Sequence, residues 1–271
     1  MPINGVTELY GILGNPVGHS LSPAMHNAAF RHLGLNKVYL PLPSADPAAA
    51  LLGLQALGFK GVSVTIPHKQ AVIPLLSSIH PLAAKIGAVN TLCFTDDGIH
   101  GSNTDWLGAM VALKQVTPLQ GRRVLLLGAG GSARAIGFGL IEEGACLTLA
   151  SRTPSTGQAL AATLGCPWLP MAEIGQFAGD ILINATSVGM GQAAEHTPLA
   201  QPYLAHFSLV MDIVYAPLET RLLREAKQAG CQTINGLAML LYQGVAQFEL
   251  WTGMAAPVEV MRQELLAGMR G

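Results

Sequence analysis

The sequence predicts an α/β protein of two domains, each built on an open, mostly parallel sheet. Three observations carry this. Short apolar runs alternate with helix-length segments as far as Gly236, the pattern of parallel strands joined by crossover helices. A glycine turn, Gly128-Ala129-Gly130-Gly131-Ser132-Ala133, falls between such a run and a helical segment. At 271 residues the chain is long for a single core and comfortable for two.

In order, Tyr10–Gly14 reads as a short strand ending in turn residues. Ser22-Pro23 reads as a helix start, Ser22 as cap and Pro23 at the first helical position, with Gly34 as the stop. Val38–Leu42 is a second strand, and Asp46-Pro47 opens another helix by the same logic. Gly61–Ile66 is a strand broken by Pro67, which is expected to start the next helix. Val89–Phe94 and Ile99–Gly101 flank Asp96-Asp97-Gly98, a hairpin turn. Asn103-Thr104-Asp105 caps a helix through Ala112. Arg123–Leu127 is a buried strand, Gly128–Ser132 the glycine turn and Ala133–Glu143 a helix. Cys146–Ser151, Asp180–Asn184 and Leu209–Ile213 are further strands, and after Gly236 the pattern is helical almost to the end.

Composition bounds the partners. Half of the residues are hydrophobic, 11% are charged, and the net charge is -1. Basic residues are scattered, whereas nucleic-acid binders carry a basic patch or stripe, so neither nucleic acid nor a membrane surface is expected as partner. The most apolar stretch, Val124–Ile141, carries five glycines and Arg134 and reads as a buried strand and helix. The N-terminal residues lack a basic region followed by an apolar run, so a cytoplasmic location is expected. Cys93, Cys146, Cys166 and Cys231 form no Cys-x-x-Cys pair; four small buried thiols are expected, and no metal site.

The glycine turn has the chemistry of a Rossmann-type nucleotide site. Gly128 permits the tight turn, Gly130 lets the backbone approach a pyrophosphate, and Ala133 allows close packing of helix on strand. The helix N-terminus adds unpaired N–H groups and partial positive charge. At the end of the following strand a carboxylate would select NAD through the ribose hydroxyls. Here stands Ser151-Arg152-Thr153, a guanidinium fork and two hydroxyls suited to the 2′-phosphate of NADP(H).

Polar residues cluster where other strands end. Ser20 and Ser22 put two hydroxyls beside a helix N-terminus, which suits a carboxylate as well as plain capping. Ser63 and Thr65, two apart on a strand, share a face. Lys69, expected in the first turn of a helix, would oppose its dipole, a reason to suspect function; a solvated surface lysine is the plain alternative. Asp105 is a candidate of the same standing beside simple capping.

These residues resemble the shikimate dehydrogenase family over essentially the whole chain. The matching segments are Ser20-Leu21-Ser22-Pro23, Ser63-Val64-Thr65-Ile66-Pro67-His68-Lys69, Gly87-Ala88-Val89-Asn90-Thr91, Asn103-Thr104-Asp105 and the glycine turn. Later come Asn184-Ala185-Thr186-Ser187-Val188-Gly189-Met190, Asp212-Ile213-Val214-Tyr215 and Gly236-Leu237-Ala238-Met239-Leu240 with Gln243. The resemblance implies a substrate domain of residues 1–104 completed by C-terminal helices of 237–271, facing a Rossmann domain of 105–236 across a cleft. It implies NADP-dependent interconversion of 3-dehydroshikimate and shikimate in aromatic amino acid biosynthesis, with Lys69 and Asp105 as the catalytic pair. Ser20 and Ser22 would hold the carboxylate, and Ser63, Thr65, Asn90 and Gln243 the ring oxygens, with Tyr215 nearby. Gly128, Ala129, Gly130, Gly131, Ser132, Ala133, Ser151, Arg152 and Thr153 would hold NADP, with Asn184, Thr186, Met190 and Gly236 towards the nicotinamide end. Two departures stand out: Ser63 replaces the family's common Asn, and no second arginine follows Arg152. A quinate/shikimate dehydrogenase with relaxed cofactor use and a non-catalytic NADP-binding sensor remain as alternatives, and the sequence leaves monomer and homodimer both open.

Overall fold

The computed structural model describes residues 3–269. They form two compact units, residues up to Thr104 together with those from Gln243 onward, and Asp105–Tyr242.

The first unit runs β1 (Glu8–Gly14), α1 (Ser22–His32), β2 (Lys37–Pro43), α2 (Pro47–Ala56), β3 (Gly61–Val64), β4 (Ser78–Ile79), α3 (Pro81–Ile86), β5 (Thr91–Thr95) and β6 (Gly98–Ser102). Its sheet has the order β2-β1-β3-β5-β6-β4. The β2/β1, β1/β3 and β6/β4 pairs are parallel, while β3/β5 and the β5/β6 hairpin are antiparallel. The pleat sorts side chains between two faces. Leu13, Val62 and Val64 pack with Leu51, Leu54 and Phe59 on one side. Tyr10 turns to the other, its ring 5.4 Å from Phe30 and 5.5 Å from Trp251. Asp46 caps α2 as expected, accepting from the N–H groups of Ala48 and Ala49.

Two expectations fail here. Ser22 is the first residue of α1 and not its cap; Ser20 instead accepts the Ser22 N–H, at 3.3 Å. No helix follows Pro67. The segment winds through successive turns to a single 3₁₀ turn at Ile73–Leu75. Pro74 is the physical reason, since it has no N–H to bond residue 70 and so cannot continue an α-helix through this segment. The helix-dipole reason for suspecting Lys69 therefore falls, and only its placement speaks for it.

The second unit continues with α4 (Asp105–Lys114), β7 (Arg123–Leu127), α5 (Gly131–Glu142), β8 (Cys146–Ser151), α6 (Pro154–Leu164), β9 (Trp168–Pro170), β10 (Ile181–Asn184), β11 (Leu209–Asp212), α7 (Arg221–Gln228) and β12 (Gln232–Ile234). All six strands are parallel, in the order β12-β11-β10-β7-β8-β9. Such a sheet is covered on both faces, and β7 shows it: Val124 and Leu126 enter one core, Leu125 and Leu127 the other. Each of these fully buried side chains contributes about 1.5–3 kcal/mol. Helix α8 (Gly236–Thr252) passes from the second unit into the first, and α9 (Val258–Gly268) ends the described chain. No described helix is long and apolar enough to cross a membrane. The cysteines depart from expectation: all four are free, but only Cys231 is buried, Cys93 and Cys166 are half-buried, and Cys146 is exposed.

Candidate active site

In the second unit the strand order reverses between β7 and β10, the place where open α/β sheets bind ligands, beyond the carboxyl ends of the strands. The glycine turn lies there. Gly128 has φ +119°, and a Cβ on it would come within 2.7 Å of the Ala185 carbonyl oxygen just after β10, so only glycine fits. Gly130 is exposed with nothing within 4 Å of where its Cβ would stand, open space for a ligand approaching the backbone. It is also the N-cap of α5 and offers no side chain to that helix's first N–H groups. Ala129, Gly131 and Ser132 are half-exposed around it, while Ala133 is fully buried against the sheet. Helix α5 begins two residues earlier than the sequence suggests, which brings Gly131 and Ser132 into its first turn.

Past β8 the predicted phosphate residues divide. Ser151 is buried, its hydroxyl donating to the Thr153 carbonyl at 3.0 Å and accepting the Trp168 indole N–H at 3.1 Å. Arg152 and Thr153 are exposed immediately before α6, which begins with Pro154. At the end of β10, Asn184 is fully buried. Its Nδ2 donates to the Val188 carbonyl and to Asp212 Oδ1, and its Oδ1 accepts from the Thr186 N–H and hydroxyl. Asn184 thus shapes the loop on which Thr186 and exposed Met190 sit. Asp212 accepts further from Val214 N–H and the Thr220 hydroxyl. Burial pushes its carboxyl up to about 6, against the pull of these donors. Burial likewise raises the phenol of Tyr215. Gly236 fits under the Ile213 carbonyl, which a Cβ would approach to 2.1 Å. Asp105, buried, opens α4.

In the first unit, Ser20 and Ser22 lie at the start of α1, Thr65 follows β3, and Lys69 sits half-buried in the turns beyond. The Lys69 carbonyl accepts the Val89 N–H at 2.8 Å, tying the lysine to the segment that carries Asn90. His68 is buried, its Nε2 2.7 Å from the Ser44 carbonyl. Asn90 is buried, and its Nδ2 is 3.5 Å from Gln243 Oε1. Ser63 is buried as well, with its hydroxyl held between Tyr39 and Gln247. Thr91 and Thr104 lie in segments that the sequence singles out but were given no role, and Tyr39 and Gln247 were missed; all four bond these side chains. One signal was present: Gln243 and Gln247 are one helical turn apart in an otherwise apolar run and so share a face. Among the described residues no group of three or more His, Cys, Asp or Glu is placed to hold a metal ion.

A parallel sheet with a glycine turn at its switch point, in one chain with a mixed α/β unit bearing a lysine and a buried amide cluster, defines a dinucleotide-dependent dehydrogenase class. Comparison with known proteins narrows this. Residues 12–92 match the shikimate dehydrogenase substrate binding domain, and residues 236–266 the shikimate 5'-dehydrogenase C-terminal domain. The chain is 47% identical to the shikimate dehydrogenase (NADP(+)) of Methanothermobacter thermautotrophicus, covering 97% of each chain. It is 46% identical to that of Moorella thermoacetica, covering 98% of this chain and 95% of the relative. Its structure superposes on that of Thermus thermophilus shikimate 5-dehydrogenase in complex with NADP(H) and shikimate with a TM-score of 0.89, at 37% identity, over 96% of this chain and 99% of that one. The chain belongs to the shikimate dehydrogenase family.

Proposed function

We propose that this protein is an NADP-dependent oxidoreductase that interconverts 3-dehydroshikimate and shikimate. The observation that carries the reading is the glycine turn at the switch point followed by Arg152, and not a carboxylate, at the end of the next strand. The second unit fits a dinucleotide: the cradle at Gly128 and Gly130 excludes a Cβ at one position and leaves open space at the other. Residues of that turn and the first turn of α5 would hold the pyrophosphate, Arg152 and Thr153 the 2′-phosphate, and the loop shaped by Asn184 the nicotinamide end. When bound, the cofactor supplies or accepts the hydride.

The chain's own residues do the rest. Ser20 and Ser22 hold the substrate carboxylate with two hydroxyl donors, and Thr65, Asn90 and Gln243 orient the ring oxygens. In reduction Lys69, as ammonium, donates a proton to the carbonyl oxygen and balances the charge that develops there. In oxidation the neutral amine takes the proton back. Asp105 is the second member of the catalytic pair. The four free cysteines support a reducing, cytoplasmic setting.

The test is absorbance-monitored NADPH oxidation with 3-dehydroshikimate, on the wild type and on Lys69→Met. The wild type turns over, and the variant loses about 10²- to 10⁴-fold in kcat, the scale of a general acid, with the 3-dehydroshikimate KM little changed. A wild type without turnover, or a variant with near-normal kcat, overturns the assignment.

A further inference from the structure

Behind the residues proposed to meet the substrate runs a buried chain of hydrogen bonds that the proposed function leaves without a role. The Tyr39 hydroxyl donates to Ser63 Oγ at 2.6 Å, and Ser63 donates to Gln247 Oε1 at 2.8 Å. Gln247 Nε2 donates to the Asn90 carbonyl at 3.1 Å and to Thr91 Oγ1 at 2.9 Å. Thr91 in turn donates to Asn90 Oδ1 at 2.7 Å. Tyr39 and Gln247 are each 1% exposed and Thr91 is 0% exposed, so none of the three can meet a ligand without displacing its neighbours.

The direction of this chain is fixed by two backbone groups. The Asn90 carbonyl can only accept, so Gln247 must turn Nε2 towards it and Oε1 towards Ser63. Ser63 must then donate to Gln247 and accept from Tyr39, which leaves its proton committed inside the protein. At the other end the Thr104 N–H can only donate, and it reaches Asn90 Oδ1 at 2.8 Å. Thr91 delivers a second proton to the same oxygen. Asn90 Oδ1 is therefore held inward, and Nδ2 is the donor end, bonded to Thr104 Oγ1 at 3.0 Å and turned towards Gln243 Oε1 at 3.5 Å.

Resting on the shikimate dehydrogenase reading, we infer that Gln247 and Thr91 are positioning residues that hold the Asn90 side chain as a hydrogen-bond donor, so that the substrate oxygen it meets is selected as an acceptor. Ser63 belongs to this chain and acts from behind the site. The Gln247 amide spans from the Ser63 hydroxyl to the Asn90 carbonyl.

The test is the pair Thr91→Val, which keeps the shape and removes the hydroxyl, and Thr91→Ser, which keeps the hydroxyl. For Thr91→Val the shikimate KM rises about 3- to 10-fold, the scale of one net hydrogen bond, while kcat and the NADP KM stay within about twofold of wild type. Thr91→Ser returns the shikimate KM to near the wild-type value. Competitive inhibition by shikimate analogues each lacking one ring hydroxyl adds a readout that a purely structural role leaves unmoved. One analogue, the one without the oxygen that meets Asn90, loses its penalty relative to the parent in Thr91→Val. If Thr91→Val does not fold, Gln247→Glu reads the same contact, because a carboxyl oxygen in place of Nε2 draws the Thr91 proton away from Asn90 and raises KM in the same way. An unchanged KM in a folded variant overturns the inference, as does a common shift of kcat and both KM values, or a Thr91→Ser variant as impaired as Thr91→Val. A wild type without activity overturns the shikimate dehydrogenase reading instead, so the two failures are distinguishable.

Discussion

Cofactor choice rests on very few groups in this protein, and that makes it measurable. Ser151 has its hydroxyl engaged by Thr153 and Trp168, so it adds no donor for a phosphate. Pro154, Ser155 and Thr156 supply no second cation. The donors left for a 2′-phosphate are the Arg152 guanidinium, the Thr153 hydroxyl and the first N–H groups of α6. A charge-assisted hydrogen bond contributes about 1.5–3 kcal/mol, and the exposure of Arg152 places it near the lower limit because solvent screens the pair. About 1.5 kcal/mol corresponds to roughly tenfold. The N-terminus of α6 adds ~0.3–1 kcal/mol, or about 2- to 5-fold. Wild type should therefore prefer NADP over NAD by roughly 20- to 50-fold, and Arg152→Met, which keeps the apolar stem, by only about 2- to 5-fold. The assay is steady-state kcat/KM for oxidation of shikimate with each cofactor. Raising ionic strength should narrow the wild-type ratio more than that of the variant. A change in the ratio of less than about threefold, or an equal loss with both cofactors, would refute the assignment of Arg152 to the phosphate.

Two further outcomes follow from groups in the fold. His26 is fully buried and stacked on Tyr39 at 4.5 Å; loss of hydration holds its pKa down at about 3, against a smaller opposing pull from Gln247. A folded-state pKa below the unfolded value stabilises above pH 6.5 and is lost as pH falls towards 3, so by pH 5 wild type should lose ~2 kcal/mol that His26→Met retains, as read from urea unfolding of both proteins at pH 8 and pH 5; parallel losses would show the ring is not buried as described. Gly128→Ala meets both a positive φ and the Ala185 carbonyl, so a cost of about 1–3 kcal/mol and a melting temperature lower by several degrees are expected, together with a NADP KM raised about tenfold or more; a variant like wild type in both would refute the cradle.

Much of the fold was legible because its signals are local. Alternation sets the faces of β1 and β3, Asp46-Pro47 starts α2, and Asp96-Asp97-Gly98 closes the β5/β6 hairpin. The failures came where a later residue overrides a local cue. Pro67 suggests a helix start, but Pro74 removes the second turn that would have sustained it. Ser22 has the right type for a cap, but the chain enters α1 one residue earlier and Ser20 receives the N–H. Strands as short as β4, β9 and β12 carry too few residues to show a period, and they pair only because neighbouring strands offer them an edge.

The site was legible in kind but not in polarity. Residue types and spacing name Ser63 and Asn90 as polar groups at strand ends, yet they do not say which way each amide or hydroxyl faces. That depends on partners distant in sequence: Gln247 lies 184 residues from Ser63 and 156 from Thr91. A buried amide has two unlike ends, and its orientation is settled wherever one neighbour is a backbone group that can only donate or only accept. Asn90 meets the Thr104 N–H, and Gln247 meets the Asn90 carbonyl. The same logic holds in the second unit, where the Thr186 N–H fixes Asn184 Oδ1 and turns Nδ2 onto Asp212. Each half of the proposed machinery thus takes its hydrogen-bonding sense from main-chain groups, which a side-chain substitution cannot reverse. Substitutions at Thr91 or Gln247 should therefore weaken the hold on Asn90 and raise KM, whereas an inverted preference for a donor ligand would require moving the Thr104 or Asn90 backbone itself.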